Sequence, residues 1–136
     1  MNLSTSRVVA ISAALLAFGG WSFAGRPDSG YHLLNTYKFD AAPGSTTEYF
    51  DYITVDSAAR RVYLSRGTAV EVMNADTGAL VGYIPGFKRQ HGVALAPEFN
   101  RGFISDGTLA QVTIFDLKSL KVIGAAKAEP DTDCIV

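Results

Sequence analysis

Between residues 50 and 126, short apolar stretches alternate with polar positions, and groups of turn-forming residues separate them. Short apolar runs bounded by turn residues are typical of β-strands, and helical spacing is not sustained across them. The pattern predicts strands at residues 52–55, 61–65, 69–74, 79–84, 92–96, 102–105, 112–116 and 120–125. Residues 31–39 are rich in β-forming side chains and predict one more strand ahead of these.

The predicted strands form two groups whose sequences repeat at a spacing of 40 to 42 residues. Residues 61–68 align with 101–108, and residues 70–74 align with 112–116 after a two-residue difference in a loop. Several short strands per copy at a period of about 40 residues are typical of β-propeller blades. We therefore predict an all-β fold, a partial β-propeller with four-stranded antiparallel blades.

The same pattern divides the chain into consecutive parts. The last residues, 133–136, align with the starts of both repeats at 51–54 and 91–94, as if another copy began there. The predicted parts are a signal peptide with its helix at 1–24, a lead-in strand and loop at 25–48, blade 1 at 49–86, blade 2 at 90–128, and the start of an incomplete third blade at 129–136.

The N-terminus has the layout of a secretory signal peptide. Arg7 precedes an apolar run at residues 8–18, and the small residues Ser22 and Ala24 stand at the −3 and −1 positions of a cleavage site. The run is short for a helix that must cross about 30 Å of hydrocarbon. An uncleaved membrane anchor is the competing interpretation. Cleavage predicts a periplasmic or secreted protein without a stable membrane span.

Composition and charge narrow the range of partners. Hydrophobic residues make up 48% of the chain and charged residues 18%, which is typical of a globular protein. The net charge is −1, and because Arg7 is the only charged residue in 1–24, the remainder carries −2. This balance argues against nucleic acid as a partner, since such binding needs clustered Lys and Arg. Cys134 is the single cysteine, so no intrachain disulfide can form.

In residues 62–65, 70–85, 91–97 and 112–118, a strand, a valine-rich strand ending in Asn or Asp, a turn and an outgoing strand follow one another. In this pattern the chain resembles the YVTN or YncE-like β-propeller proteins. The resemblance implies blades arranged around a channel, usually seven of them. It also implies diverse functions, including surface-layer structure, ligand or partner binding and, in one branch, binding of single-stranded DNA.

This chain holds fewer blades than that family usually has. Blades bury their faces on each other, so two blades leave two broad apolar faces open to association. Three explanations remain open. The chain is a truncated or frameshifted product, or it assembles with other copies into a ring, or it forms an open sandwich of two blades.

The repeat places polar residues at equivalent positions on successive blades. Asp51, His91 and Asp133 each stand at the start of an innermost strand, and Arg66 and Asp106 lie in loops at the same rim. Carboxylates with an imidazole suit a divalent cation or acid–base chemistry. The alternative is structural, because polar residues at strand starts often bond to neighbouring backbone groups. No catalytic residues are predicted, since no known catalytic motif is present.

The lead hypothesis is an exported, non-catalytic binding or scaffold protein of the cell envelope, with an unknown ligand or envelope protein as partner. It needs no cofactor other than the divalent cation considered above. One alternative is a metal-assisted, lactonase-like hydrolase using Asp51, His91 and Asp133. Another is binding of single-stranded nucleic acid, for which the aromatic residues Tyr49, Phe50 and Tyr52 could provide stacking surfaces.

Overall fold

The computed structural model describes residues 30–42, 44 and 49–136, so the predicted signal peptide and its helix lie outside the described residues. The chain divides into two units, residues 1–35 and 36–136. In the first unit, residues 30–35 are exposed and form no strand. Among the described residues there is no helix with the length and hydropathy that crossing a bilayer requires.

The second unit contains two four-stranded antiparallel sheets, each with its strands in sequence order. All eight predicted strands are confirmed, with boundaries that differ by at most two residues. The strands are β1 (Phe50–Asp56), β2 (Arg61–Arg66), β3 (Ala69–Asn74), β4 (Leu80–Pro85), β5 (Gln90–Ala96), β6 (Arg101–Asp106), β7 (Gln111–Asp116) and β8 (Val122–Lys127), with a short 3-10 helix at Pro97–Phe99. The two repeats of the sequence therefore fold with the same topology.

The strand predicted at residues 31–39 is wrong, because residues 30–42 form no strand. A strand requires a neighbour with a free backbone edge, and these residues do not enter either sheet. Within the second unit, this segment instead contacts blade 1 through side chains. The Tyr37 hydroxyl donates to the Asp76 carbonyl oxygen at 3.1 Å, and Arg66 donates to the Asp40 carbonyl oxygen at 2.7 Å. Several of the side chains that suggested a strand, Tyr31, Leu33 and Leu34, are more than 80% exposed, so β-forming composition alone was not sufficient.

The hydrophobic core lies between the two sheets. Tyr63 on β2 and Phe115 on β7 are both fully buried, with ring centroids 6.0 Å apart. Leu120 packs against Gly82 on β4, where an added Cβ would lie 3.1 Å from the leucine side chain. The remaining core residues are Val70, Val72, Ile84, Phe87, Val93, Ile104 and Leu117. Burial of these side chains is the main force that joins the two blades.

The two blades make their β3–β4 and β7–β8 turns with equivalent side chains. Asn74 Oδ1 accepts hydrogen bonds from the Thr77 and Asp76 backbone, and Asp116 Oδ1 accepts them from Lys118 and Ser119. Side chains that bond to the backbone two and three residues on are typical of Asx turns. The sequence predicts a positive φ at Gly78, and its φ of +68° confirms this.

The Asp116 turn gives a pH-dependent stability that the Asn74 turn lacks. The backbone hydrogen bond from Ser119 holds the pKa of Asp116 below its usual value. A carboxyl with a depressed folded pKa stabilises the fold above its unfolded pKa of about 3.9, and that contribution is lost as the pH falls through the folded pKa. We expect wild type to lose stability relative to Asp116→Asn below about pH 4, measured by urea unfolding at several pH values. A difference that stays constant with pH would contradict this, since the other carboxyls are common to both proteins.

Residues 129–136 form no strand, but they contact blade 2 as β5 contacts blade 1. Ser65 Oγ donates to the His91 carbonyl oxygen of β5, and the equivalent Ser105 Oγ donates to the carbonyl oxygen of Asp133. The Asp131 amide also donates to the Gly107 carbonyl oxygen at 3.1 Å. This tail therefore lies beside blade 2 where an innermost strand of a following blade is expected.

Candidate functional site

Each innermost strand contains a β-bulge at its candidate residue. The pairing of β1 with β2 shifts between Phe50 and Ile53, and the pairing of β5 with β6 shifts between Gln90 and Val93. Asp51 and His91 therefore lie in the two bulges. Bulges bend a strand and redirect its side chains, and they are frequent beside functional sites.

A serine stands opposite each bulge and connects it to the next innermost segment. Ser65 faces the bulge of β1 and Ser105 that of β5, where Ser105 Oγ also accepts a hydrogen bond from the Gly92 amide at 3.1 Å. Their hydroxyls donate to the carbonyl oxygens of His91 and Asp133. Both serines are buried, so the backbone positions of two candidate residues are fixed by groups inside the blades.

The structure brings Asp51, His91 and Asp133 together. His91 Nδ1 lies 2.6 Å from Asp51 Oδ2 and 3.6 Å from Asp133 Oδ1. One donor atom from each of the three residues lies within 4.8 Å of the other two. The side chain of His91 is 4% exposed, that of Asp51 is 24% exposed, and that of Asp133 is 59% exposed. We call these three residues the rim cluster.

Tyr49 supports the most constrained carboxylate of the rim cluster. Its hydroxyl donates to Asp51 Oδ2 at 2.8 Å. Burial acts to raise the pKa of Asp51, but the hydrogen bonds with His91 and Tyr49 outweigh it and hold the pKa below its usual value. The same bond to Asp51 raises the pKa of Tyr49. Asp51 is therefore an oriented, ionised acceptor at neutral pH.

A cavity of about 360 Å³ lies beside the rim cluster. Its lining begins with the residue that follows each cluster member in the chain, namely Tyr52, Gly92 and Cys134. The other lining residues are Ile53, Thr54, Val93, Ile135 and Val136. The negative charge of Asp133 raises the pKa of Tyr52, so the tyrosine hydroxyl on the cavity wall lies within electrostatic reach of this carboxylate. The site thus combines apolar walls with an acidic edge.

The other two candidates, Arg66 and Asp106, have partners inside their own blades. Arg66 is 1% exposed and forms an ion pair with Glu71. Asp106 is fully buried and accepts hydrogen bonds from the backbone amides of Lys88 and Leu109 at 2.8 and 2.9 Å. Arg66 and Asp106 are the last residues of β2 and β6 and do not lie in the loops predicted for them, and neither side chain is exposed to solvent at the rim.

The aromatic residues near the rim are also partly engaged. Phe50 lies 4.9 Å from the Arg66 guanidinium carbon, in the geometry of a cation–π contact, and Tyr49 is bonded to Asp51. Tyr52 remains 45% exposed on the cavity wall. Phe50 and Tyr52 are both about half exposed, and of the three residues considered for stacking on bases Tyr52 is the one that lines the cavity.

Comparisons with known proteins inform the fold. No family model matches the sequence, and no curated protein matches it. Among solved structures, the chain is similar to the hydrazine synthase of Kuenenia stuttgartiensis, a protein that contains a β-propeller, with a TM-score of 0.56 and 14% identity. The match covers 67% of this chain and 28% of that one. The fold is a partial β-propeller. At this identity the likeness concerns architecture alone.

The sequence predicted the members of the rim cluster but not the contacts that hold them in position. The repeat alignment placed Asp51, His91 and Asp133 at equivalent positions in the propeller. It did not reveal the bulges, the serine contacts or the role of Tyr49. The paired Ser65 and Ser105 were a usable signal, because a polar residue at the same buried position of both repeats calls for a hydrogen-bond partner.

Proposed function

We propose that this protein is an exported, non-catalytic binding module of the cell envelope, related to the YVTN-like propellers, whose ligand is a small cationic group bound at the rim cluster. The observation that carries the proposal is the pairing of two carboxylates with an apolar-walled cavity. Binding sites commonly combine apolar walls with a few polar groups that set orientation. The export component rests on the pattern of residues 1–24.

The charge of the site favours a cation. Asp51 and Asp133 provide two carboxylates around a single imidazole, and the lowered pKa of Asp51 keeps that group ionised. Arg89 is a basic side chain near the cluster: it pairs with Asp131 at 3.3 Å, and its charge also helps to lower the pKa of Asp51, so one guanidinium stands beside three carboxylates. A ligand with a positively charged head and an apolar body would complement both the carboxylates of the rim cluster and the apolar walls of the cavity.

Both parts of the proposal are tested on protein from the periplasmic fraction of an expressing bacterium. The recovered chain should begin at Gly25, as intact mass will show. Its melting temperature is then measured with 2-phenylethylammonium and with phenylacetate, which have similar size and opposite charge. At a concentration of about ten times its Kd, the cation should stabilise the protein by about 1.4 kcal/mol. For a domain of this size that raises Tm by roughly 5–10 °C.

Phenylacetate should leave Tm unchanged. Equal shifts with both compounds would mean that the aromatic ring alone is recognised, and no shift with either would remove the binding proposal. Protein found only in the cytoplasm with residues 1–24 intact would contradict export. These outcomes separate the binding component from the export component.

A second candidate, a metal-assisted hydrolase, is favoured by the same cluster because an imidazole and two carboxylates beside a cavity can activate a metal-bound water. It predicts that a simple lactone such as γ-butyrolactone is cleaved only when a divalent cation is present. Cleavage is measured through the protons that it releases. Cleavage that is equal with and without added Zn²⁺ would remove it.

A further inference from the structure

We propose that the rim cluster is a divalent transition-metal site with an open coordination position. This inference rests on the proposed binding function and specifies the cation. Asp51, His91 and Asp133 each contribute one donor atom, and each comes from a different innermost segment of the propeller. A metal bound there would join β1, β5 and the tail.

Two of the three separations between donors are within about 1 Å of those that a metal requires. Zinc binds imidazole nitrogen and carboxylate oxygen at about 2.0–2.2 Å, so two tetrahedral ligands lie about 3.4 Å apart. His91 Nδ1 lies 2.6 Å from Asp51 Oδ2 and 3.6 Å from Asp133 Oδ1. Binding the ion would require the His91–Asp51 separation to open by less than about 1 Å and the three donors, which lie within 4.8 Å of one another, to close around it. Side-chain rotation can supply such movements.

The donor set indicates the kind of metal. An imidazole nitrogen suits Zn²⁺ and its transition-metal neighbours, whereas Ca²⁺ takes six to eight oxygen ligands and Mg²⁺ prefers oxygen with water. Two carboxylates around one buried imidazole also repel each other, and a divalent ion neutralises both. Zinc is therefore the appropriate probe and calcium the appropriate comparison.

The donors are supported by outer contacts of the kind that metal sites need. Tyr49 bonds to the Asp51 oxygen that faces His91, and Ser65 and Ser105 fix the backbone of His91 and Asp133. Such outer partners orient metal ligands and tune their affinity. His91 is almost fully buried, so its ring is already held in position.

Three protein ligands leave one tetrahedral position open, as in catalytic and exchangeable zinc sites. The cavity lies next to the cluster and is lined by the residues that follow each donor, Tyr52, Gly92 and Cys134. A small neutral donor in that cavity could occupy the open position. The site would then bind a ligand through its metal.

The test is calorimetric titration of tag-free protein with ZnCl2 and with CaCl2 at pH 7. We expect one Zn²⁺ per chain and no comparable Ca²⁺ uptake. Asp133→Asn removes the charge of an exposed ligand and should weaken Zn²⁺ binding at least about tenfold. Loss of a residue that only hydrogen-bonds to a metal ligand already costs that much, and Asp133 would be a ligand itself. Asp131→Asn is the matched control, because it removes a carboxylate two residues away that pairs with Arg89 instead, and it should bind Zn²⁺ like wild type.

Cys134→Ser is the second control, since an exposed thiolate can bind zinc by itself. It should retain wild-type affinity. The proposal is overturned if wild type binds no Zn²⁺, if Asp133→Asn binds as tightly as wild type, or if Cys134→Ser alone abolishes binding. Far-UV circular dichroism checks that each variant is folded. A shift of Tm by 2-phenylethylammonium without Zn²⁺ uptake would reject the metal and leave the binding function standing.

Discussion

Replacing Glu71 with leucine should lower the free energy of unfolding by about 3–5 kcal/mol, the typical cost of removing one partner of a buried ion pair. Glu71 is 4% exposed and Arg66 is 1% exposed, and their side chains form a direct ion pair. The substitution removes the Glu71 carboxylate and leaves the Arg66 guanidinium in its buried position. The other partners of Arg66 include the Asp40 carbonyl oxygen and the Phe39 and Phe50 rings.

The double substitution Arg66→Met with Glu71→Leu should be far less destabilising than Glu71→Leu alone. Replacing a whole buried pair by apolar side chains of similar volume is often neutral or stabilising, because both desolvation penalties disappear together. Urea unfolding of the wild type, both single variants and the double variant gives the coupling energy.

The exposed pair Arg60–Asp76 provides the matched control for this experiment. Its side chains are 57% and 52% exposed, so water screens their charges. Asp76→Leu should therefore change stability much less than Glu71→Leu. Equal effects at the two sites would show that burial of the Arg66–Glu71 pair does not govern its contribution.

Much of the fold was predictable because two features of the sequence indicate the same architecture. Short apolar runs between turn residues located all eight strands, and the spacing of 40 to 42 residues grouped them into two equivalent sheets. The strand expected at residues 31–39 was wrong because β-forming composition does not show whether a sheet edge is available for pairing, and residues 30–42 join neither sheet. Turn geometry was predictable at Gly78, but Leu120 adopts a φ of 60° that its residue type does not favour. Its burial against Gly82 offsets that cost.

The site was predictable in its members but not in its contacts. Equivalent positions in a propeller converge, so Asp51, His91 and Asp133 could be placed together from the alignment. Arg66 and Asp106 were also equivalent, but their partners depend on which residues face the interior. Glu71 is five residues from Arg66 and lies in the next strand, where only the observed register shows that the two side chains meet.

Substituting Gly102 with valine should destabilise the protein by about 3 kcal/mol, at the upper end of the usual cost of overpacking. Gly102 on β6 lies directly opposite Phe115 on β7, and an added Cβ would stand 2.1 Å from Phe115 Cζ. The ring cannot move away freely, because Phe115 is fully buried and packs against Tyr63. Gly124→Val is the matched control, since an added Cβ at Gly124 meets nothing within 4 Å, and it should change stability by less than about 0.5 kcal/mol.

The equivalent pair in blade 1 suggests the compensating change. There Val62 lies opposite Met73, so a larger residue on the second strand faces a slimmer one on the third. Gly102→Val combined with Phe115→Met reproduces that pairing in blade 2 and should recover more than about 1 kcal/mol of the loss, as expected for contacting residues that couple. Urea unfolding of both single variants and the double variant measures the coupling. Two results would contradict this account: strictly additive effects of the two substitutions, or a Gly102→Val cost no greater than that of Gly124→Val. Either would show that the size of the residue at position 102 is not matched to the size of the residue at position 115.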